Sequence, residues 1–128
     1  MKLTKARYAT DGGYYDQART ILESILPAEL PTLRDQVEFQ YRMARLEHKT
    51  RRLSDAKVYY RKTIELNAAE VWYYAPNACL QLGYIALEEN DAAAAQEYFR
   101  RALSYKKHEY KNSIDTKAKS ALAQMERK

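Results

Sequence analysis

The side chains that could do chemistry in this 128-residue chain are few and far apart in the sequence. Two histidines, His48 and His108, and one cysteine, Cys79, are the candidates for a nucleophile, a general base or a metal ligand. Catalysis needs such groups in contact with one another, or a metal with closely spaced ligands. Glu88 and Glu89 are adjacent, so on a helix their carboxylates diverge and cannot share a proton. We therefore expect no enzymatic activity, no cofactor and no metal site.

The composition predicts a small, soluble, all-helical domain. Only three glycines and three prolines interrupt the chain, and long segments contain no helix breaker. No apolar run approaches the roughly 20 residues that cross a membrane, and the first residues contain no apolar core of a secretory signal. We expect no membrane insertion and, by default, a cytoplasmic location, which a missing upstream region would leave open. The formal net charge of +5 is concentrated in the last quarter.

Three segments of the chain repeat one helical pattern. Each contains a small residue followed by large residues about four, seven and eight positions later, which lie on one face of a helix. The segments are GYYDQARTILESIL (13–26), RLSDAKVYYRKTIEL (52–66) and DAAAAQEYFRRAL (91–103). Their leading alanines, Ala18, Ala56 and Ala95, are 38 and 39 residues apart. This spacing predicts an internal repeat.

A second helical pattern with its own small residue precedes each of these segments. Ala6, Ala44 and Gly83 are those small residues, so each repeat is expected to contain two helices. Small residues at the crossing point let paired helices approach closely, and an aromatic ring one turn further fills the remaining gap. We predict that Gly83 and Ala95 are the contact points of the third pair and that Phe99 is the filler.

The third of these repeats, LGYIALEENDAAAAQEYFRRAL (82–103), resembles a tetratricopeptide repeat. The residues that match the family pattern are Leu82, Gly83, Ala86, Ala95, Phe99 and Ala102. The middle repeat departs from the pattern at Ala44 and at Thr63, and it places Tyr60 at the aromatic position. The first repeat matches mainly in its second helix. Spacings of 38 and 39 residues exceed the usual 34, which implies longer linkers.

Residues 72–122 resemble, more narrowly, the C-terminal repeats of the tetratricopeptide-repeat-39 family. The resemblance rests on an aromatic pair before Pro76-Asn77-Ala78, on Leu82, and on a Tyr-Lys spacer before a closing helix. It implies that this chain is the C-terminal end of a longer array.

The resemblance implies an all-α fold, a right-handed superhelical array of antiparallel helix pairs with a capping helix, seven helices in all. The expected repeats are residues 1–30, 31–69 and 70–108, and the capping helix covers about 112–127. Predicted boundary signals are a capping box at Thr32 and Asp35, N-caps at Ser54 and Asp91, a break at Gly12-Gly13, and Pro76 in a first turn.

In this family the first helix of each pair lines a concave groove, and those positions carry our candidate peptide contacts. They are Arg7, Tyr41, Arg42, Arg45, His48, Lys49, Asn77, Leu80, Gln81, Tyr84 and Glu88. We predict that the groove accepts a peptide of acidic character, with Arg42 and Arg45 pairing with carboxylates and Tyr41 and Tyr84 supplying apolar contact. The alternative is that a cationic helix face only keeps the protein soluble.

Other interpretations remain open beside peptide binding. The chain can be an architectural part of a longer array, or it can self-associate through an exposed apolar edge of its first repeat. Repeats that clamp acidic chaperone tails use defined Lys, Asn and Arg residues where this chain has Leu3, Arg7, Arg42, Asn77 and Gln81, so such a clamp is not expected. The segment YKKHEYKNS favours nucleic-acid binding only weakly, because acidic residues interrupt it. For the aromatic cluster at residues 71–74 we favour packing over a ligand pocket.

Overall fold

The computed structural model describes residues 1–127, and all regular structure in that range is helical. The helices are α1 (Lys2–Asp11), α2 (Tyr15–Glu23), α3 (Leu33–Lys49), α4 (Leu53–Asn67), α5 (Tyr74–Glu88), α6 (Ala92–Ser104) and α7 (Lys111–Glu126). A single 3-10 turn, Pro27–Glu29, lies between α2 and α3. The predicted all-α fold with seven helices is therefore confirmed over the described range. None of these helices is both long enough and apolar enough to cross a membrane.

The chain divides into two compact units, Met1–Leu66 (unit 1) and Asn67–Lys128 (unit 2). In unit 1, α1 packs against α2 and α3, and α2 packs against α3. The predicted small contact residues Ala6, Ala18 and Ala44 are all fully buried. The core around them consists of aliphatic side chains from α1, α2 and α3, namely Leu3, Leu22, Met43 and Leu46. Close helix approach at alanine positions thus forms the centre of this unit.

In unit 2, α5 packs against α6, and α7 contacts both of them. A Cβ atom added at Gly83 would lie only 2.4 Å from the Phe99 ring, closer than any side chain tolerates. Ala95, Phe99 and Ala102 are fully buried on the facing side of α6. The predicted role of Gly83 and Phe99 as contact point and filler is therefore confirmed.

The same turn joins the two helices of every pair. Gly13, Arg51 and Asn90 adopt positive φ values of 84°, 64° and 60° after α1, α3 and α5. In each case the next residue donates its backbone N–H over 2.8 Å to a carbonyl five residues earlier: Tyr14 to Ala9, Arg52 to Glu47, and Asp91 to Ala86. This is the Schellman arrangement, which satisfies carbonyls at the end of a helix. It recurs with the same 38- and 39-residue spacing as the alanines.

Gly13→Ala is expected to lower the free energy of unfolding by roughly 1 kcal/mol, because a Cβ atom disfavours left-handed backbone. No atom lies within 4 Å of the position that this Cβ would take, so the cost is conformational rather than steric. Gly13→Asn should lose less, since asparagine tolerates this region. Urea denaturation of both variants measures the difference, and equal stability of Gly13→Ala and the wild type would contradict this account of the turn.

Most of the predicted boundary signals are confirmed. The Thr32 hydroxyl accepts from the Asp35 N–H over 3.1 Å and Asp35 accepts from the Thr32 N–H, which completes the capping box. Asp91 caps α6 by accepting from the Ala94 N–H. Pro76 lies in the first turn of α5. The prediction for Ser54 is wrong, because α4 begins at Leu53 and Ser54 lies inside its first turn.

Candidate functional site

The predicted binding residues lie on α1 and α3 of unit 1 and on α5 of unit 2, and they differ widely in exposure. Arg7 and Lys49 are exposed. Arg45, His48, Asn77, Gln81 and Tyr84 are half-buried, whereas Tyr41 and Arg42 are buried. Leu80, another candidate contact, is fully buried. Tyr41 and Arg42, which were expected to touch a peptide most directly, therefore have little accessible surface.

Arg42 is engaged inside unit 1. Its Nε donates to the Glu38 carboxylate over 3.0 Å, one helical turn away, and its side chain is only 9% exposed. Its guanidinium carbon also lies 5.1 Å from the centre of the Tyr41 ring, within the range of a cation–π contact. The charge of Arg42 is thus matched locally, and it has little surface left for a ligand.

Arg45 and His48 converge on one buried hydroxyl of α4. Arg45 Nη1 donates to Tyr60 Oη over 3.3 Å, and His48 Nδ1 lies 2.9 Å from the same oxygen. Burial raises the pKa of Tyr60 far above its ordinary value, so the hydroxyl stays neutral. We call Arg45, His48 and Tyr60 the Tyr60 cluster. It fixes two polar side chains of α3 against the second helix of the same pair.

Sequence reasoning treated Tyr60 only as an aromatic filler and so missed this cluster. It also missed an ion pair between α2 and α3, in which Arg19 Nη2 donates to Glu47 Oε1 over 2.5 Å. That hydrogen bond raises the pKa of Arg19. Glu47 is 5% exposed, so its carboxylate is largely withdrawn from water. Arg19 and Glu47 are 28 positions apart and share no sequence motif, so only the folded structure reveals their contact.

The first helix of unit 2 presents an uncharged stripe followed by an acidic residue. Asn77, Gln81, Tyr84 and Glu88 follow one another at helical spacing along one side of α5. The Tyr84 ring packs edge-on against Phe99, with ring centres 5.5 Å apart, so part of its surface serves the core. No lysine or arginine occurs on α5. Among the candidate contacts, the cationic residues all belong to unit 1.

The aromatic residues before and within α5 pack on one another. Tyr74 is 3% exposed, and the Tyr73 ring lies 4.5 Å from Tyr74 and 5.3 Å from Tyr110, centre to centre. The backbone N–H of Glu109 donates to the Val71 carbonyl over 3.1 Å, which ties the linker before α7 to the linker before α5. These contacts support the packing interpretation of the cluster at residues 71–74.

Cys79 is not placed to act as a nucleophile. It is fully buried in α5, and burial raises the pKa of its thiol to about 12. Tyr105, which is hydrogen-bonded to Cys79, has its pKa raised to about 12, again mainly by burial. A thiol in this state is neutral and poorly reactive at neutral pH. Among residues 1–127, no three His, Cys, Asp or Glu side chains are grouped as a metal ion would require.

We expect the free energy of unfolding to fall as the pH rises above about 9, because the unfolded thiol then ionises while buried Cys79 still holds its proton. The buried hydroxyls of Tyr60 and Tyr105, whose pKa values are also raised, act in the same direction at higher pH. The stability is fully present below the unfolded pKa values and is lost towards pH 12. Urea denaturation at a series of alkaline pH values measures the slope. Cys79→Ala should make that slope shallower, and an unchanged slope would contradict the assignment.

The family model described as tetratricopeptide repeat matches two parts of the chain, residues 37–70 and 76–109. Together they cover more than half of the sequence, and their starts are 39 residues apart, the spacing between Ala56 and Ala95. The first helix pair lies outside both matches, although α1 ends in the same turn as α3 and α5. Comparisons with curated proteins and with solved structures give no match.

Proposed function

Because this chain belongs to the tetratricopeptide repeat family, whose repeats generally mediate protein–protein interaction, we propose that it binds an acidic segment of a partner protein through unit 1. The contacts would come from the cationic side chains of the first helices α1 and α3. The recognition set would be Arg7, Arg45 and Lys49.

The observation that carries this proposal is the Tyr60 cluster. Arg45 and His48 are held by a common hydroxyl at 3.3 and 2.9 Å, so their side chains need not be ordered when a ligand arrives. Lys49 follows Arg45 by one helical turn and is exposed. Arg7 occupies in α1 the repeat position that Arg45 occupies in α3, and its pairing with Asp11 at 3.9 Å is loose. A planar guanidinium can bind a carboxylate through two hydrogen bonds, which favours acidic ligands.

The test uses a fluorescent peptide rich in Asp and Glu, and a matched peptide with Asn and Gln in their place, with binding followed by anisotropy. The single variants Lys49→Glu and Arg7→Glu should each weaken binding of the acidic peptide about tenfold, since charge reversal replaces attraction with repulsion. Arg61→Glu, which reverses another exposed charge, on α4, is the matched control and should change the affinity less than about twofold.

Equal binding of the acidic and the amide peptide, or equal effects of Lys49→Glu and Arg61→Glu, would contradict the proposal. This pair of variants is preferable to reversing Arg42, because Arg42 is buried against Glu38 and its replacement would disturb the fold. Loss of binding at Arg42 could therefore not be assigned to the ligand.

A second proposed function is architectural, with this chain forming the C-terminal part of a longer array, as the resemblance of residues 72–122 to the tetratricopeptide-repeat-39 family implies. It is favoured by exposed large apolar side chains on the first helix pair of unit 1 and directly after it, including Tyr8 on α1 at 67% and Leu26 after α2 at 64% exposure. Such surface is suited to a stacked neighbour. Self-association would then appear in sedimentation experiments at high concentration and would be reduced by Leu26→Glu. Strictly monomeric behaviour would contradict it.

A further inference from the structure

Charge in unit 2 is sharply divided along the sequence. Residues 67–99 contain five acidic residues (Glu70, Glu88, Glu89, Asp91 and Glu97) and no lysine or arginine. Residues 100–128 contain nine basic residues and three acidic ones. Three of the five early acidic residues, Glu88, Glu89 and Asp91, lie in or beside the turn between α5 and α6 and are exposed. This turn is therefore a strongly negative surface.

A shallow apolar depression lies beside that turn. One cleft of about 310 Å³ is lined by Leu87, Asn90, Ala92, Ala121, Gln124 and Met125. A second cleft of about 250 Å³ shares Ala92 and Met125 with the first and continues past Gln96 to Glu126. We call the two together the α6–α7 trough. Its lining is mainly small or flexible apolar side chains at the start of α6 and the end of α7.

The composition of the trough is suited to receiving an apolar side chain. Ala92 and Ala93 on the first turn of α6 are exposed, and Leu87 is 37% exposed. Met125 is half-buried, and methionine adapts its shape to different apolar ligands. Glu126 lines one end of the trough, and the acidic turn borders the other. An apolar ligand that enters the trough thus lies near one lining carboxylate and beside the acidic turn.

We propose that the α6–α7 trough is a second interaction surface, which binds a cationic amphipathic segment of a partner protein. An apolar side chain of the partner would occupy the space between Ala92 and Met125. Lysine or arginine side chains next to it would face Glu88, Glu89 and Glu126. Opposite charges across an interface increase the association rate and select the partner. This preference is the reverse of the one proposed for unit 1, so the two proposals can fail separately.

The test uses a fluorescent amphipathic helical peptide of leucine and lysine, and a matched peptide with glutamate in place of lysine. The intact chain should bind the lysine peptide and not the glutamate peptide. Met125→Lys should weaken binding of the lysine peptide at least about tenfold, whereas Met125→Leu, which keeps the apolar lining, should change it less than about threefold. Circular dichroism establishes that each variant remains helical.

A second variant tests the acidic border without touching the trough itself. Replacing both Glu88 and Glu89 by lysine changes exposed side chains and should weaken binding about tenfold, with a steep dependence on salt. The single variants Glu88→Lys and Glu89→Lys are compared with their matched control, Glu70→Lys, which reverses one exposed charge before α5, at the opposite end of that helix. The double variant of Glu88 and Glu89 decides the question if Met125→Lys does not fold.

Four results would overturn the proposal. The first is equal binding of the lysine and glutamate peptides, and the second is wild-type binding by either Met125→Lys or the double variant of Glu88 and Glu89. The third is an equal loss of binding with Glu70→Lys. The fourth is self-association of the chain that Met125→Lys abolishes. The last would show that a second copy of this chain occupies the trough.

Discussion

Phe99→Ala is expected to lower the free energy of unfolding by about 3–5 kcal/mol, because it removes a fully buried ring and leaves a cavity. The ring closely covers Gly83 and also packs against Tyr84, with ring centres 5.5 Å apart. Glycine at position 83 has no side chain that could move into the vacated space. Chemical denaturation monitored by circular dichroism measures the change.

Tyr98→Ala is the matched control for Phe99→Ala, because Tyr98 is the neighbouring aromatic residue of α6 and is only half-buried. It should cost clearly less, about 1 kcal/mol. A loss at Phe99 no larger than that at Tyr98 would contradict the role of Phe99 as the filler between α5 and α6.

Arg19→Leu is expected to lower the free energy of unfolding by about 2 kcal/mol, because it leaves the Glu47 carboxylate buried without its cation. The loss should be about half of the 3–5 kcal/mol typical of fully buried pairs, because the Arg19 side chain is 23% exposed and water reaches it. Glu47 is 5% exposed, so most of the desolvation cost falls on that residue.

The double variant Arg19→Leu, Glu47→Leu is the informative comparison. It removes both charges and should be more stable than Arg19→Leu alone, because no buried charge then remains unpaired. A double-mutant cycle from urea denaturation gives the coupling energy. Additive losses in the cycle would contradict a direct interaction between the two side chains.

Much of the fold could be predicted because it depends on local spacing. Ala18, Ala56 and Ala95 mark a repeat, and all three are fully buried in the structure. The family matches contain the last two of them. The contact between Gly83 and Phe99 could be predicted because the ring fills the space that a Cβ atom at position 83 would need. The turn at Arg51 was not predicted, because positive φ is costly for arginine and only the backbone shows it.

The candidate site was less predictable, because it depends on which residues of a helix face the core. Tyrosine and arginine are common on binding surfaces, yet α3 is buried on most sides and both Tyr41 and Arg42 lie inside unit 1. The Tyr60 cluster joins side chains that are 12 and 15 residues apart through the hydroxyl of Tyr60. Helical periodicity places Tyr60 on the apolar face of its helix and says nothing about the partners of its hydroxyl. Exposure and hydrogen bonding, rather than residue type, therefore separate Arg45 and Lys49 from Arg42.

The measurement that tests the central claim most directly is a nuclear magnetic resonance titration of ¹⁵N-labelled protein with the acidic peptide. Binding through unit 1 should shift the amide signals of α3 around Arg45, His48 and Lys49, and those of α1 around Arg7, in a saturable manner. The matched amide peptide should leave these signals in place. Shifts confined to the basic residues after α6, or equal shifts with both peptides, would contradict recognition of acidic segments by α1 and α3.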